Sequence, residues 1–259
     1  MTGAKPRLTV NQEAELERLY GMNKEGKITD KQVITLGDLL DKKMTPPKLS
    51  ATTITRLNSI HKEAVFGKVA NLDNKFLQKG LLAEESSISL YSRLSKALFL
   101  KNKERRTNEY ITGEPDNADG IIRDVKTSWS MDTFPMADDT CPSSDYWWQL
   151  QGYMELWDMN KAELIYCLVN TPEILIDDEK RRQSWKLGYI DLPEDVSEAI
   201  ENNMTFDDVP EGLRCRVFII DRDRDAIKML YDHLDRCREY LNERTKAIAA
   251  LLPELTPAT

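Results

Sequence analysis

The sequence predicts an α/β fold: a central mixed β-sheet flanked by helices, preceded by an N-terminal helical arm and closed by a long C-terminal helix. Three observations carry this expectation. Segments with apolar residues at helical spacing alternate with short runs of strand character. The order of segments is helices, a strand pair, a helix, a strand and then additions, with no internal repeat. A chain of 259 residues with 41% hydrophobic content is long enough to bury one sizeable core and carry an accessory piece.

Helical patterns near Gln12 to Tyr20 and Asp30 to Lys43 run into Met44-Thr45-Pro46-Pro47, where the prolines stop any helix. Residues 1–47 are read as an accessory helical arm and residues 48–259 as the main domain. Helices are expected at about 50–66 and 76–98, a strand pair at about 108–129 and a helix at about 144–158. A strand at about 162–170, helices near 172–186 and 193–203, a strand at 213–220 and a long helix at 222–250 complete the chain. The run Gly21-Met22-Asn23-Lys24-Glu25-Gly26-Lys27-Ile28 has the outline of a phosphate-binding loop. Ile28 stands where a Ser or Thr must hold Mg²⁺, and a helix precedes the run instead of a strand, so it reads as a helix stop.

A formal net charge of -8 argues against a protein that coats nucleic acid by bulk electrostatics. It leaves room for a nucleic-acid enzyme, because carboxylates that bind divalent cations make a site acidic until the metal arrives. The local stripe Lys101, Lys103, Arg105 and Arg106 reads equally well as a backbone contact or as a solvated loop. Cys141, Cys167, Cys215 and Cys237 are widely spaced, with no C-x-x-C pair and only His61 and His233 to help them. That pattern predicts buried reduced thiols, no zinc site and no disulfide framework. No apolar run approaches the ~18 residues that span a bilayer. Residues 1–20 are too polar for a signal peptide, so a soluble, cytoplasmic protein without membrane association is expected.

The most informative stretch runs from Thr112 to Trp129. If Asp119-Gly120 made a two-residue turn, Ala118 would pair with Ile121 and Asp116 would face away from Asp124, since side chains alternate. A three-residue loop over Ala118-Asp119-Gly120, with Gly120 in the left-handed region, pairs Asn117 with Ile121 and Asp116 with Ile122. This second register is preferred, and it puts Asp116, Asp124 and Lys126 on one face. Two carboxylates sharing a face with a lysine are costly unless they hold a cation. D-x-K alone is too short to decide against ordinary salt bridges, so its context matters.

The preceding helix carries Gly80 and Glu84 in a G-x-x-x-E, and the following helix carries Gln149 and Tyr153 in a Q-x-x-x-Y. With Gly113-x-x-Asp116 and Asp124-x-Lys126 between them, the sequence resembles one branch of the PD-(D/E)xK nucleases. That branch contains RecB-like nuclease domains, CRISPR-associated RecB-like nucleases and lambda-type viral exonucleases. The stretch Leu49-Ser50-Ala51-Thr52-Thr53-Ile54 is similar to the Leu-Ser-rich helix start of such domains. The resemblance covers about residues 48–170.

The resemblance implies that Glu84, Asp116 and Asp124 ligate Mg²⁺ or Mn²⁺ together with the Val125 carbonyl. Lys126 would orient or activate the attacking water, or stabilise the charged transition state, with Gln149 and Tyr153 in support. Two or three carboxylates and a carbonyl suit an octahedral ion that keeps several waters. Glu85 competes with Glu84, and spacing from Gly80 favours Glu84. Trp147 and Trp148 read as core residues or as base-stacking residues. The cysteines lack the grouping of the iron-sulfur cluster found in some CRISPR-associated relatives, so no cluster is expected. The implied activity is DNA hydrolysis, from an end more readily than internally, in recombination, repair or viral DNA processing. DNA is the implied partner, and a homo-oligomer or a recombination partner protein is compatible with the family. The rival expectations are an endonuclease on the same fold and a nucleic-acid-binding module without activity.

Overall fold

A computed structural model describes residues 8–44, 48–69 and 74–255. Residues 45–47 of the expected break therefore lie outside the described residues. The chain divides into two compact units, residues 1–68 with 229–259, and residues 69–228. The arm expected over residues 1–47 falls in the first.

In the first unit, α1 (Val10–Lys24) starts with a capping box. The Thr9 hydroxyl accepts the Gln12 N–H at 3.3 Å while the Gln12 side chain accepts the Thr9 N–H at 3.1 Å. The helix stops before Gly26, whose φ of 67° lies in the left-handed region. Leu16 and Leu19 pack with Leu36 and Leu39 of α2 (Asp30–Met44) into a small core. Ser50 caps α3 (Ala51–Phe66) by accepting the Thr53 N–H at 3.1 Å.

The second unit begins with α4 (Lys75–Leu82) and α5 (Glu84–Ser95), followed by the two-residue strands β1 (Arg106–Thr107) and β2 (Thr112–Gly113). Next come β3 (Ile122–Thr127), α6 (Ser144–Trp157), β4 (Lys161–Cys167), α7 (Glu173–Leu187), α8 (Glu194–Met204) and β5 (Cys215–Asp221). The last helix, α9 (Arg224–Leu255), continues into the residues of the first unit. β3 runs parallel to β4, and β4 antiparallel to β5, so the sheet is mixed, as expected. Strand alternation sorts its side chains into two faces. Ile122, Leu164, Tyr166 and Phe218 pack with Leu150 and Met154 of α6, whereas Val125, Ile165 and Cys167 pack with Leu90 of α5. The helix 144–158 accordingly buries Leu150, Met154 and Trp157. Among the described residues no helix is long and apolar enough to cross a membrane.

Two expectations need correction. The helix expected over 76–98 is broken at Ala83, whose φ and ψ of -105° and 8° leave the α-helical region. Glu84 and Glu85 thereby fall in the first turn of α5, where the helix dipole favours carboxylates. The expected strand pair is also much reduced: β2 pairs with β1, and only a single bridge joins Asn117 to Arg123. The loop is two residues longer than the expected pairing of Asn117 with Ile121. Asn117 holds it open by accepting the Asp119 N–H at 3.2 Å and the Arg123 guanidinium at 2.9 Å. Gly120 does adopt a positive φ, 71°.

Candidate active site

The register slip of two residues preserves parity, so the facing of the carboxylates survives it. Asn117 and Arg123 exchange both backbone hydrogen bonds, at 3.1 and 2.9 Å. Continuing that register puts Asp116 opposite Asp124. The next rung would need an N–H from Pro115, which has none. The Asp116 carboxylate takes the place of the ladder, accepting the Val125 N–H on Oδ2 at 2.7 Å. Because the N–H and C=O of one strand residue point to the same edge, the Val125 carbonyl faces this edge too. Pro115 has no donor to offer it.

Asp124 and Lys126, two residues apart, share the face of β3 that looks toward α6. Lys126 Nζ lies 2.5 Å from Asp124 Oδ2 and 4.6 Å from the centre of the Tyr146 ring. Gly113 of the G-x-x-D block lies against the Tyr153 ring so closely that a Cβ there would stand 2.5 Å from Tyr153 Cε1. Only glycine fits that approach. On α6, Gln149 Nε2 donates to Tyr153 Oη at 2.7 Å.

Of these carboxylates Asp124 is buried and Asp116 partly buried, and Lys126 pairs with Asp124. Asp124 is only 3% exposed, and burial pushes its carboxyl up against the opposing pull of Lys126. Burial, then the Asp124 charge, pushes Asp116 up to about 6, with the Val125 N–H pulling the other way. Burial alone would lower the Lys126 ammonium, but Asp124 outweighs it and the net shift is upward. Lys126 is the ion-pair partner of Asp124 Oδ2, but this buried oxygen receives no hydrogen bond of good geometry. Such an oxygen beside a second, partly buried carboxylate and an edge carbonyl fits a hard divalent cation, which takes oxygen ligands and keeps waters. Among the described residues no three His, Cys, Asp or Glu side chains come together as a metal-holding group, so the expected trio of Glu84, Asp116 and Asp124 is not assembled. Glu84 pairs with Lys101, its Oε1 2.7 Å from Lys101 Nζ.

Glu84, Asp116, Val125 and Lys126 line one cleft of about 540 Å³ with Trp129 and Tyr146, and Asp124 lies beside it, held to Lys126. Phe76, Leu77 and Leu81 of α4 form an exposed apolar rim. Gln149 and Tyr153 bond each other and are not part of the cleft wall. Glu85 lines a different cleft, with Arg93, Glu211 and Arg214. Trp147 packs against the main core and meets Trp148 edge to face, with ring centres 4.9 Å apart. In the basic stripe, Arg105 pairs with Glu114 at 3.1 Å and Arg106 with Glu104 at 2.8 Å. All four cysteines are free, but Cys141 and Cys215 are partly exposed, which corrects the expectation of buried thiols. Sequence reasoning did not find Tyr146 under Lys126. Its position three residues before Gln149, on the same side of α6, was the available signal.

No family model and no curated protein matches the chain. Solved structures do. One described as a phage-related exonuclease from Haemophilus somnus 129PT is 28% identical, with a TM-score of 0.65 over 78% of this chain and 86% of that one. An alkaline exonuclease from Laribacter hongkongensis is 12% identical, with a TM-score of 0.53 over 81% of this chain and 90% of that one. The same protein in complex with dAMP gives 13% identity and a TM-score of 0.54, over 80% and 88%. At those identities the last two speak for the fold.

Proposed function

We propose that this chain, whose fold is similar to those of a phage-related and an alkaline exonuclease, is a metal-dependent exonuclease of the PD-(D/E)xK kind that hydrolyses phosphodiester bonds in DNA. The observation that carries this reading is the pair Asp116 and Asp124: opposed across the edge of β3, Asp124 buried and Asp116 partly so, with Lys126 beside them. Carboxylates shifted upward by burial and by one another in a cleft mark a functional-site candidate, whereas ion pairs with arginine shift them downward. The phage-related structure lends weight to an exonuclease, and the complex of its alkaline counterpart with dAMP to a nucleotide ligand. A role in recombination, repair or viral DNA processing follows from the resemblance.

In this reading Asp116, Asp124 and the Val125 carbonyl hold Mg²⁺ or Mn²⁺, and Glu84 joins them. The bound ion supplies Lewis-acid stabilisation of the phosphoryl oxygens and a more acidic water. Lys126, an ammonium held in place by Asp124 and the Tyr146 face, donates hydrogen bonds to the attacking water or to a phosphoryl oxygen. Tyr153, locked by Gln149 and pressed onto Gly113, ties α6 to the segment that carries Asp116. Cleavage is tested on linear duplex and closed-circular DNA of one sequence, with and without Mg²⁺. Progressive loss of the linear form alone is expected. Rapid linearisation of the circle, absent in Asp124→Ala, would make the protein an endonuclease instead.

A further inference from the structure

We propose that Lys101 is a positioning residue of the carboxylate cleft: in the metal-free protein its ammonium occupies Glu84, which becomes a metal ligand only when the cation displaces Lys101. This rests on the metal-dependent reading above. The geometry that supports it begins in the backbone. Lys101 is bracketed by bonds to the segment that carries Asp116. The Asn102 N–H donates to the Asp116 carbonyl at 2.7 Å, the Asn102 amide to the Pro115 carbonyl at 3.1 Å, and the Asn117 amide to the Leu100 carbonyl at 2.8 Å. Three bonds therefore fix Lys101 beside Asp116, and its side chain spans the cleft to Glu84 at 2.7 Å.

With Lys101 in place, three carboxylates at the cleft meet two ammonium groups, which leaves one net negative charge. A divalent cation added on top would find Glu84 already engaged. The pair is weak enough to exchange, since Lys101 is half exposed and Glu84 a quarter exposed. Such pairs shift an equilibrium by no more than about fivefold. Once released, the tethered ammonium stays over the cleft, where it can meet a phosphate of bound DNA.

The test is calorimetric titration with Ca²⁺, without DNA, of the full-length wild type, K101A, E84Q, the double variant, and K103A as a control on the same loop. K101A should bind two- to fivefold tighter, K103A like wild type, and the double variant no tighter than E84Q, because the competition runs through Glu84. Wild-type metal binding with K101A unchanged or weaker would overturn the role of Lys101 alone. Absence of metal binding by the wild type would overturn the metal-dependent reading itself.

A second observation stands apart from the site. Cys167 and Cys215 are directly opposite in the antiparallel register of β4 and β5. The Leu168 N–H donates to the Arg214 carbonyl at 2.8 Å, which marks the neighbouring rung as the hydrogen-bonded one. The cysteines therefore occupy a non-hydrogen-bonded rung, where opposed Cα atoms stand about 4.5 Å apart. That separation falls at the short end of the range that disulfides bridge. Cys215 is partly exposed and packs against the cluster that contains Cys167.

We infer that this pair is a reversible modification site for small-molecule disulfides. The Cys215 thiolate attacks the small disulfide and releases one thiol. The Cys167 sulfur then displaces the second, leaving a cross-strand disulfide and two reduced small thiols. The Cys167 thiol is buried and donates to the Ser87 carbonyl at 3.4 Å, so the partly exposed Cys215 is the sulfur that a small disulfide reaches first. Exposure of the folded protein to oxidised glutathione, followed by intact mass and peptide mapping, should show loss of two hydrogens, a 167–215 bridge and full reversal by dithiothreitol. C215S should abolish the bridge. A persistent glutathione adduct on Cys215, or two thiols still free, would overturn the inference.

Discussion

Glu84 and Glu85 are neighbours in the first turn of α5, yet they open onto different clefts, and the two clefts are charged on different principles. In the cleft of Glu85, Glu211 takes the Arg93 guanidinium at 2.6 and 3.0 Å, and Arg93 holds its carboxyl below the usual range. Asp207 accepts the Asn170 amide at 2.7 Å there and lies 3.9 Å from Arg214. In the cleft of Glu84 the shift has the opposite sign: Asp116 is pushed up to about 6 by burial and by Asp124. Acids met by arginines stabilise a surface; acids buried together await a cation. The sign of the shift separates the two kinds of cleft where the density of charge does not.

The largest effects should therefore fall on one side of α5. Asp116→Ala and Asp124→Ala should reduce DNA hydrolysis to background, whereas Glu85→Ala and Glu211→Ala should leave it unchanged, as read by nucleotide release. A loss of activity in Glu211→Ala as deep as in Asp124→Ala would erase the comparison.

Next in size, Lys126→Ala should lose about 100-fold or more in turnover, the scale for one electrostatic or acid-base participant. Metal binding by calorimetry should survive. If the metal no longer bound, Lys126 would be serving the fold of the cleft and not the reaction.

Much of this cleft was legible in the sequence because strand alternation is a strict rule. Asp124 and Lys126 must share a face, and any register of the right parity brings Asp116 to it. The register itself was not legible. Pro115 cannot continue the ladder, and the Asn117 side chain widens the loop by bonding Asp119 and Arg123, both of which are tertiary outcomes of a short polar segment. The break at Ala83 carries no side-chain cap and so left no mark in the sequence. Lys101 was visible only as part of a basic stripe. Its place at Glu84 depends on loop bonds between residues 15 apart or so, which no local pattern encodes.

Smaller effects test the packing behind the chemistry. Gly113→Ala should cost about 1–3 kcal/mol, the usual scale of overpacking, because its Cβ would meet Tyr153 Cε1 at 2.5 Å. Gly152→Ala, whose Cβ would find Ile111 Cδ1 at an ordinary 3.6 Å within α6, should be neutral or stabilising by up to ~1 kcal/mol. Urea unfolding of both variants checks the contrast, and equal losses would contradict the close approach at Gly113.

A last effect, read in pH and not in activity, concerns a buried cation outside both clefts. Lys79 is 1% exposed and donates to the Trp129 carbonyl at 2.8 Å, and burial lowers its ammonium to about 8. The unfolded chain keeps that proton up to the ordinary 10.5, so between those values it binds more protons than the folded protein, and stability should rise with pH. Below about 8 both states are protonated and this contribution is flat. Melting temperatures across that window should show the rise in wild type and lose it in Lys79→Met.

The central claim, that the Asp116 and Asp124 cleft is a metal-dependent nuclease site, is tested most directly by nucleotide release from linear duplex DNA. Wild type and Asp124→Ala are assayed side by side, each with Mg²⁺ and with a chelator. The account predicts release by wild type with Mg²⁺ and by none of the other three. Release in the presence of chelator, or by Asp124→Ala at the wild-type rate, would contradict it.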